Sequence, residues 1–269
     1  NNIANVNTVG FKSSRVVFKD VYYQTISSAS SPNKIRSGTN AMQIGYGSTV
    51  SSIDIQNTRS GIQPTDIPTD LYIGGDGYFI VQDGTGDINY TRVGNFKFDS
   101  AGNLVDSNGY SVVGQKVTYK VDLNGELILD ADGNPEIDEI TYEPIKISNA
   151  SNYSEIAIGK DGQITALNGT EGTMDFLGRV ALAKFPNPDA LLQQGNSYRK
   201  ESQNSGVAEY VVPGSNSTGA LISGGLEMSN VDLSKEFTDM ISAQRGFQAN
   251  SRVITTSDEI LQELVNLKK

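Results

Sequence analysis

The chain has 269 residues, enough for one large domain or two smaller ones, because single cores stop growing near ~250–300 residues. It contains neither Cys nor His, which removes disulfides, thiolate nucleophiles, iron–sulfur clusters, Cys-containing zinc sites, His-based triads and most transition-metal centres. Lys and Arg number 21 against 31 Asp and Glu, and the formal charge of −10 opposes nucleic acid and anionic lipid as partners.

The start, Asn1-Asn2-Ile3-Ala4-Asn5, lacks the basic cap and apolar stretch of a signal peptide. No apolar run approaches the roughly 18 residues of a membrane helix, so no membrane insertion is expected. The missing initiator Met suggests a chain that begins inside a longer one or after processing. Charge is uneven along the sequence. Residues 1–53 carry +4 and residues 232–269 carry −1, so the stretch between them holds −13, an acidic and well-solvated body.

Residues 27–40 are too poor in apolar groups to bury and read as a loop or flexible strap. From Ile44 to Val212 short alternating or aliphatic runs dominate, such as Tyr78-Phe79-Ile80-Val81, Phe96-Lys97-Phe98, Glu126-Leu127-Ile128-Leu129 and Val180–Phe185. They are separated by Asp83-Gly84, Ala101-Gly102-Asn103, Asn108-Gly109, Asn124-Gly125, Asp132-Gly133-Asn134 and Asp161-Gly162. Asx-Gly pairs supply the positive φ of tight hairpin turns, which predicts an antiparallel β domain over about 45–212. No fixed period supports a solenoid or propeller. A Pro213–Gly219 turn cluster opens a linker over 213–231.

From Asp232 onward the sole glycine is Gly246 and there is no proline, while Asn230 or Asp232 can cap and Glu236 falls in the first turn. This predicts one long helix over 232–269, about 57 Å at 1.5 Å per residue. Steps of four and three place Leu233, Phe237, Met240, Phe247, Ile254, Leu261 and Val265 on a coiled-coil-like seam, interrupted by Gln244, Ser251 and Asp258. Such a stripe exceeds what a modest β body can cover, which points to other helices as partners, with an ordinary core helix folded back on the same chain as the alternative; polar seam positions fix register and favour the assembly reading. Terminal helices without partners are expected to be partly disordered.

Catalytic readings are weak. The loop Asp130-Ala131-Asp132-Gly133-Asn134 fails the EF-hand spacing, with Gly133 at the fourth position and Thr141 at the twelfth. Gly74, Gly75 and Gly77 lack the Gly-Lys-Ser/Thr of a phosphate loop. Acidic residues cluster beside turn glycines and single out no acid/base pair. We expect no enzyme, no cofactor and no metal site.

Several motifs resemble those of bacterial flagellar rod and hook axial proteins. The segment Asn1–Lys12 is similar to their N-terminal Asn-rich motif, and Leu226–Leu233 with Met240–Ser251 is similar to their C-terminal segment. Gly75–Phe79, Tyr90–Phe96 and Phe185–Leu191 resemble their β-domain signatures. The resemblance implies an α+β subunit in which an antiparallel β-rich domain is flanked by N- and C-terminal segments that form a coiled-coil-like helical layer on assembly. It further implies export without a cleaved signal through the flagellar type III apparatus, self-assembly into a hollow helical homopolymer, and rod, hook-cap and hook-filament junction proteins as partners. Asn1, Asn2, Asn5 and Phe11 are the expected helix-to-domain joint, at the end of an N-terminal helix within the 1–44 segment.

Among family members, Phe18–Tyr22 and Ile254–Leu264 most resemble hook proteins, whose sliding β domains let a torque-transmitting tube bend. A modest insertion around 116–147 replaces the large outer domain many hook proteins carry. The distal rod protein is the alternative, suited by the short β region and the strap. A β-rich adhesin or carbohydrate-binding module is the alternative of a different class, and it predicts sugar binding by an isolated monomer.

Overall fold

The computed structural model describes residues 1–32, 37–119, 137–147, 153–169 and 173–267. The fold is α+β, with antiparallel strand pairing through residue 227 and one C-terminal helix. After a short 3-10 turn at Ile3–Asn5, the strand Ser14–Asp20 pairs with Ser48–Ile55, and Tyr23–Ser27 pairs with Met42–Gly45. A Ser30–Thr39 bridge continues the same ladder. The result is one hairpin arm spanning about 50 Å at ~3.3 Å per residue.

The arm runs across residue 45, the expected start of the β domain, since Met42–Gly45 and Ser48–Ile55 both belong to it. The segment 27–40 is not simply a strap, because Ser30 and Thr39 exchange backbone hydrogen bonds of 3.0 and 3.2 Å. Val16, Val17, Phe18, Val21, Tyr22, Tyr23, Thr25 and Ile26, in and between the strands that precede it, carry β-favouring side chains.

The body is a sheet of 13 strands among the described residues. Its central strand, Tyr78–Gln82, is buried on both faces, so a continuous apolar run suits it. Phe79 and Val81 join Leu71, Phe96, Leu104, Val180 and Leu182 on one face, and Tyr78 and Ile80 join Tyr90, Ala181, Ala183 and Phe185 on the other. Edge-to-face rings lock both sides, Phe79 on Phe96 at 5.0 Å and Tyr90 on Phe185 at 4.8 Å.

Three turns repeat one design. In Asp83–Asp87, Asp99–Asn103 and Asp106–Tyr110 the first Asp accepts from backbone N–H groups two and four residues on, and the fourth residue is a glycine with φ of +93°, +84° and +83°. These are three-residue loops with a left-handed glycine. At Asp83-Gly84 the left-handed residue is therefore Gly86 and not the glycine of the Asp-Gly pair. Gly162 also takes a positive φ, +79°. The turns at 124–125 and 132–134, and the acidic loop Asp130–Asn134, lie outside the described residues. So does most of the 116–147 insertion, whose flanking strands Ser111–Tyr119 and Ile137–Pro144 pair antiparallel.

The expected linker over 213–231 contains two strands. Leu221–Ser223 pairs with Leu71–Ile73, and Gly225–Glu227 pairs with Ile62–Pro64. These partners lie more than 140 residues away, which composition cannot reveal. The C-terminal helix spans Leu233–Asn266, and its cap is Asp232, whose side chain accepts from the Ser234 and Lys235 amides. No residue of this helix is buried.

Candidate functional site

Among the described residues, two apolar surfaces are exposed in the single chain. On the helix, Leu233, Phe237, Met240, Phe247, Ile254, Leu261 and Val265 are 38–74% exposed. Ile241, Val253, Ile260 and Leu264 are exposed beside them, so the stripe is wider than the four-three seam and is doubled by adjacent pairs at 240–241, 253–254, 260–261 and 264–265. On the arm, Val16, Phe18, Tyr22, Tyr23, Ile26, Met42, Ile44, Tyr46, Val50 and Ile53 are exposed. A two-stranded ribbon is marginal by itself in water, and apolar surface of this extent marks an association face.

The two surfaces meet at the joint. Asn2 donates to Ser14 O at 2.8 Å and to Glu236 Oε1 at 2.9 Å, and accepts from the Ser14 amide at 3.1 Å, which ties the N-terminal turn to the arm and to the first helical turn. Asn5 donates to the backbone and side-chain oxygens of Asn1 at 3.1 and 3.0 Å and accepts from Thr8. Phe11 is half-buried, and its carbonyl accepts from the Asn230 amide.

Sequence reasoning did not single out the rest of the joint. Asn230 Oδ1 accepts from the Ser13 amide at 2.7 Å, while its Nδ2 donates to Gln56 O at 2.8 Å and Thr58 Oγ1 at 2.9 Å. Beneath it lie three buried charges, Lys12, Arg92 and Glu227, at 3%, 7% and 1% exposure. Lys12 Nζ donates to Glu227 Oε1 at 2.6 Å and to Thr58 O at 2.7 Å. Arg92 Nη1 donates to Gly75 O at 2.9 Å and stands 3.5 Å from Glu227 Oε2, a long contact in which the guanidinium acts chiefly as a charge.

Burial pulls the Lys12 ammonium below the ordinary lysine range, and the Glu227 carboxylate partly offsets this. The ring of Tyr78 is flanked by Arg92 at 5.2 Å and Arg199 at 5.1 Å. Burial lifts its phenol above the usual range, and the two guanidinium groups work against that shift. Nothing local in the sequence marks Lys12, Arg92 and Glu227 as buried, because their partners lie far apart in the chain.

Among the described residues no group of three or more acidic side chains could hold a metal ion, and no helix is long and apolar enough to cross a membrane. Among the described residues, two exposed apolar faces flank one polar, charge-paired joint.

Comparison with known proteins identifies the family. Residues 72–166 match the flagellar hook protein FlgE/F/G D1 domain, and residues 222–267 match the C-terminal model of the flagellar basal body rod FlgEFG proteins. The flagellar basal-body rod protein FlgG of Bacillus subtilis is 47% identical over all of this chain and 91% of its own length. The chain belongs to the flagellar rod and hook protein family. It is thus a structural protein of the flagellar axis. Within the same family, the rod protein FlgG of Buchnera aphidicola is 34% identical over 99% of the chain and 91% of its own length. The flagellar hook protein FlgE of Borreliella burgdorferi is 29% identical over 100% of the chain and 95% of its own length.

Proposed function

We propose that the protein is a subunit of the flagellar rod, which corrects the hook assignment suggested by local motifs. One observation carries this reading. The alignment with the Bacillus subtilis rod protein spans 271 positions for a 269-residue chain, whereas the alignment with the hook protein spans 419. The hook relative therefore carries a long stretch with no counterpart in this chain. The 120–136 gap between the paired strands Ser111–Tyr119 and Ile137–Pro144 is too short for a domain with its own core. The motifs that favoured the hook, Phe18–Tyr22 and Ile254–Leu264, belong to the arm and helix and do not bear on this difference.

In this reading the molecule is completed by copies of itself and by its axial neighbours. The helix stripe packs in an inner helical layer together with terminal segments of other subunits, and the arm lies against neighbouring β bodies. The basic N-terminal segment favours contact with the acidic middle region. The chain thus divides by role into joint and arm, β body, and assembly helix. Polar, wet contacts between bodies carry torque outside the buried helical layer. The family assignment leaves the adhesin and carbohydrate-binding reading without support, and no reaction is assigned.

Immunogold labelling of isolated basal bodies tests the rod assignment. Label on the shaft within the envelope is expected. Label confined to the curved segment beyond the cell surface would restore the hook reading.

A further inference from the structure

Three motifs that lie far apart in the sequence converge on one point. Lys12 closes the Asn-rich N-terminal segment, Arg92 sits in the Tyr90–Phe96 motif, and Glu227 sits in the Leu226–Leu233 motif. The Lys12–Glu227 contact spans 215 positions and the Arg92–Glu227 contact spans 135. We propose that Lys12, Arg92 and Glu227 act together as a latch that makes docking of both terminal segments on the β body a single step and fixes the direction in which the C-terminal helix leaves it.

The physical basis is the cost of an unpaired buried charge. Bringing an ammonium, a guanidinium and a carboxylate out of water gains little net stability, but any partial arrangement strands at least one of them. With Glu227 undocked, Lys12 and Arg92 are two buried cations without an anion. With the N-terminal segment undocked, Glu227 keeps only the long contact to Arg92. The intermediate states are thereby depopulated, and the joint is either closed or open.

Direction follows from how little chain separates the latch from the helix. Between Glu227 and the Asp232 cap, Met228 donates its amide to Gly61 O at 2.9 Å, and Ser229 O accepts from Ser60 Oγ at 2.8 Å. Asn230 is held by Gln56, Thr58 and Ser13. The Gly10 amide donates to Glu227 O at 2.8 Å, so the same residue clamps the N-terminal segment through its backbone. Lys12, Arg92 and Glu227 are positioning residues for assembly, and this role depends on the family assignment and not on the choice between rod and hook.

The experiment uses the full chain as a monomer. Because the chain lacks cysteine, spin labels on Ser100→Cys in the body and Asp239→Cys near the helix start are unique, and their separation reports helix direction. In Glu227→Gln, which keeps the shape and removes the charge, exchange of the Gly10, Ser13 and Met228 amides should accelerate about a hundredfold or more. Amides of Phe79–Gln82 should keep their protection, and the label distance should broaden.

The triple variant Lys12→Met, Arg92→Met, Glu227→Met leaves no stranded charge. It should recover body protection, even if Glu227→Gln fails to fold, while its label distance stays broad because Lys12 no longer ties Glu227 to Thr58 at the root of the helix. Unchanged exchange in Glu227→Gln, equal acceleration in joint and body, or a narrow distance in the triple variant would each overturn the latch.

Discussion

Asp83 and Asp99 show how single side chains set the turns of the body. Hydrogen bonds from the Thr85 hydroxyl and amide hold the Asp83 carboxyl below its ordinary value of 3.8, and the Asn103 side chain and amide do the same for Asp99. A depressed carboxyl favours the folded state fully above about pH 4, and this contribution is lost as pH falls through the lowered folded value. Carbon-detected NMR titration should therefore place both carboxyls below 3.8, and Asp99→Asn should remove the acid-dependent step at its own turn. Gly94 is limited by space and not by φ. A Cβ there would sit 1.9 Å from Leu71 O and 3.1 Å from the Phe79 ring, while the Gly94 carbonyl accepts from the Leu71 amide. Gly94→Ala should destabilise the body by about 3 kcal/mol in denaturant melts.

At the scale of elements, the helix was legible and its surroundings were not. Proline and glycine scarcity, an Asp cap and a four-three apolar step predict a helix at 232–269, and it spans Leu233–Asn266. The doubled pairs Met240–Ile241, Val253–Ile254 and Ile260–Leu261 widen the exposed apolar stripe beyond a single seam. Replacing Phe247 and Ile254 together by Asp should abolish polymerisation seen by electron microscopy. The same double variant should shift body stability by no more than about 0.5 kcal/mol, since both side chains are largely exposed in the single chain. The arm was less legible than the helix. Residues 27–40 read as a loop or strap, and only the pairings from Ser14–Ile55 to Ser30–Thr39 join the strands on either side into a hairpin.

For the whole molecule, the helix and body share a joint but little core. Ending the chain after Val231 should leave the thermal transition of the body within a few degrees of the full chain, as read by calorimetry, because the helix buries none of its own residues. Sedimentation should show weaker self-association for the shortened chain than for the full chain, because the helix stripe is removed and only the apolar face of the arm remains. A large loss of body stability on this truncation would mean that the helix is a core element and not an assembly element.

Composition, turn chemistry and apolar period by themselves determined the exclusion of thiol and imidazole chemistry, the antiparallel body and the long exposed helix, since each depends on residues near one another in the chain. Tertiary structure decided what depends on distant partners. It turned a linker into the strands Leu221–Ser223 and Gly225–Glu227, and it brought Lys12, Arg92 and Glu227 together. A lone charge in a sequence reads as a solvated one, and burial with its partner exists only after the chain has closed over it.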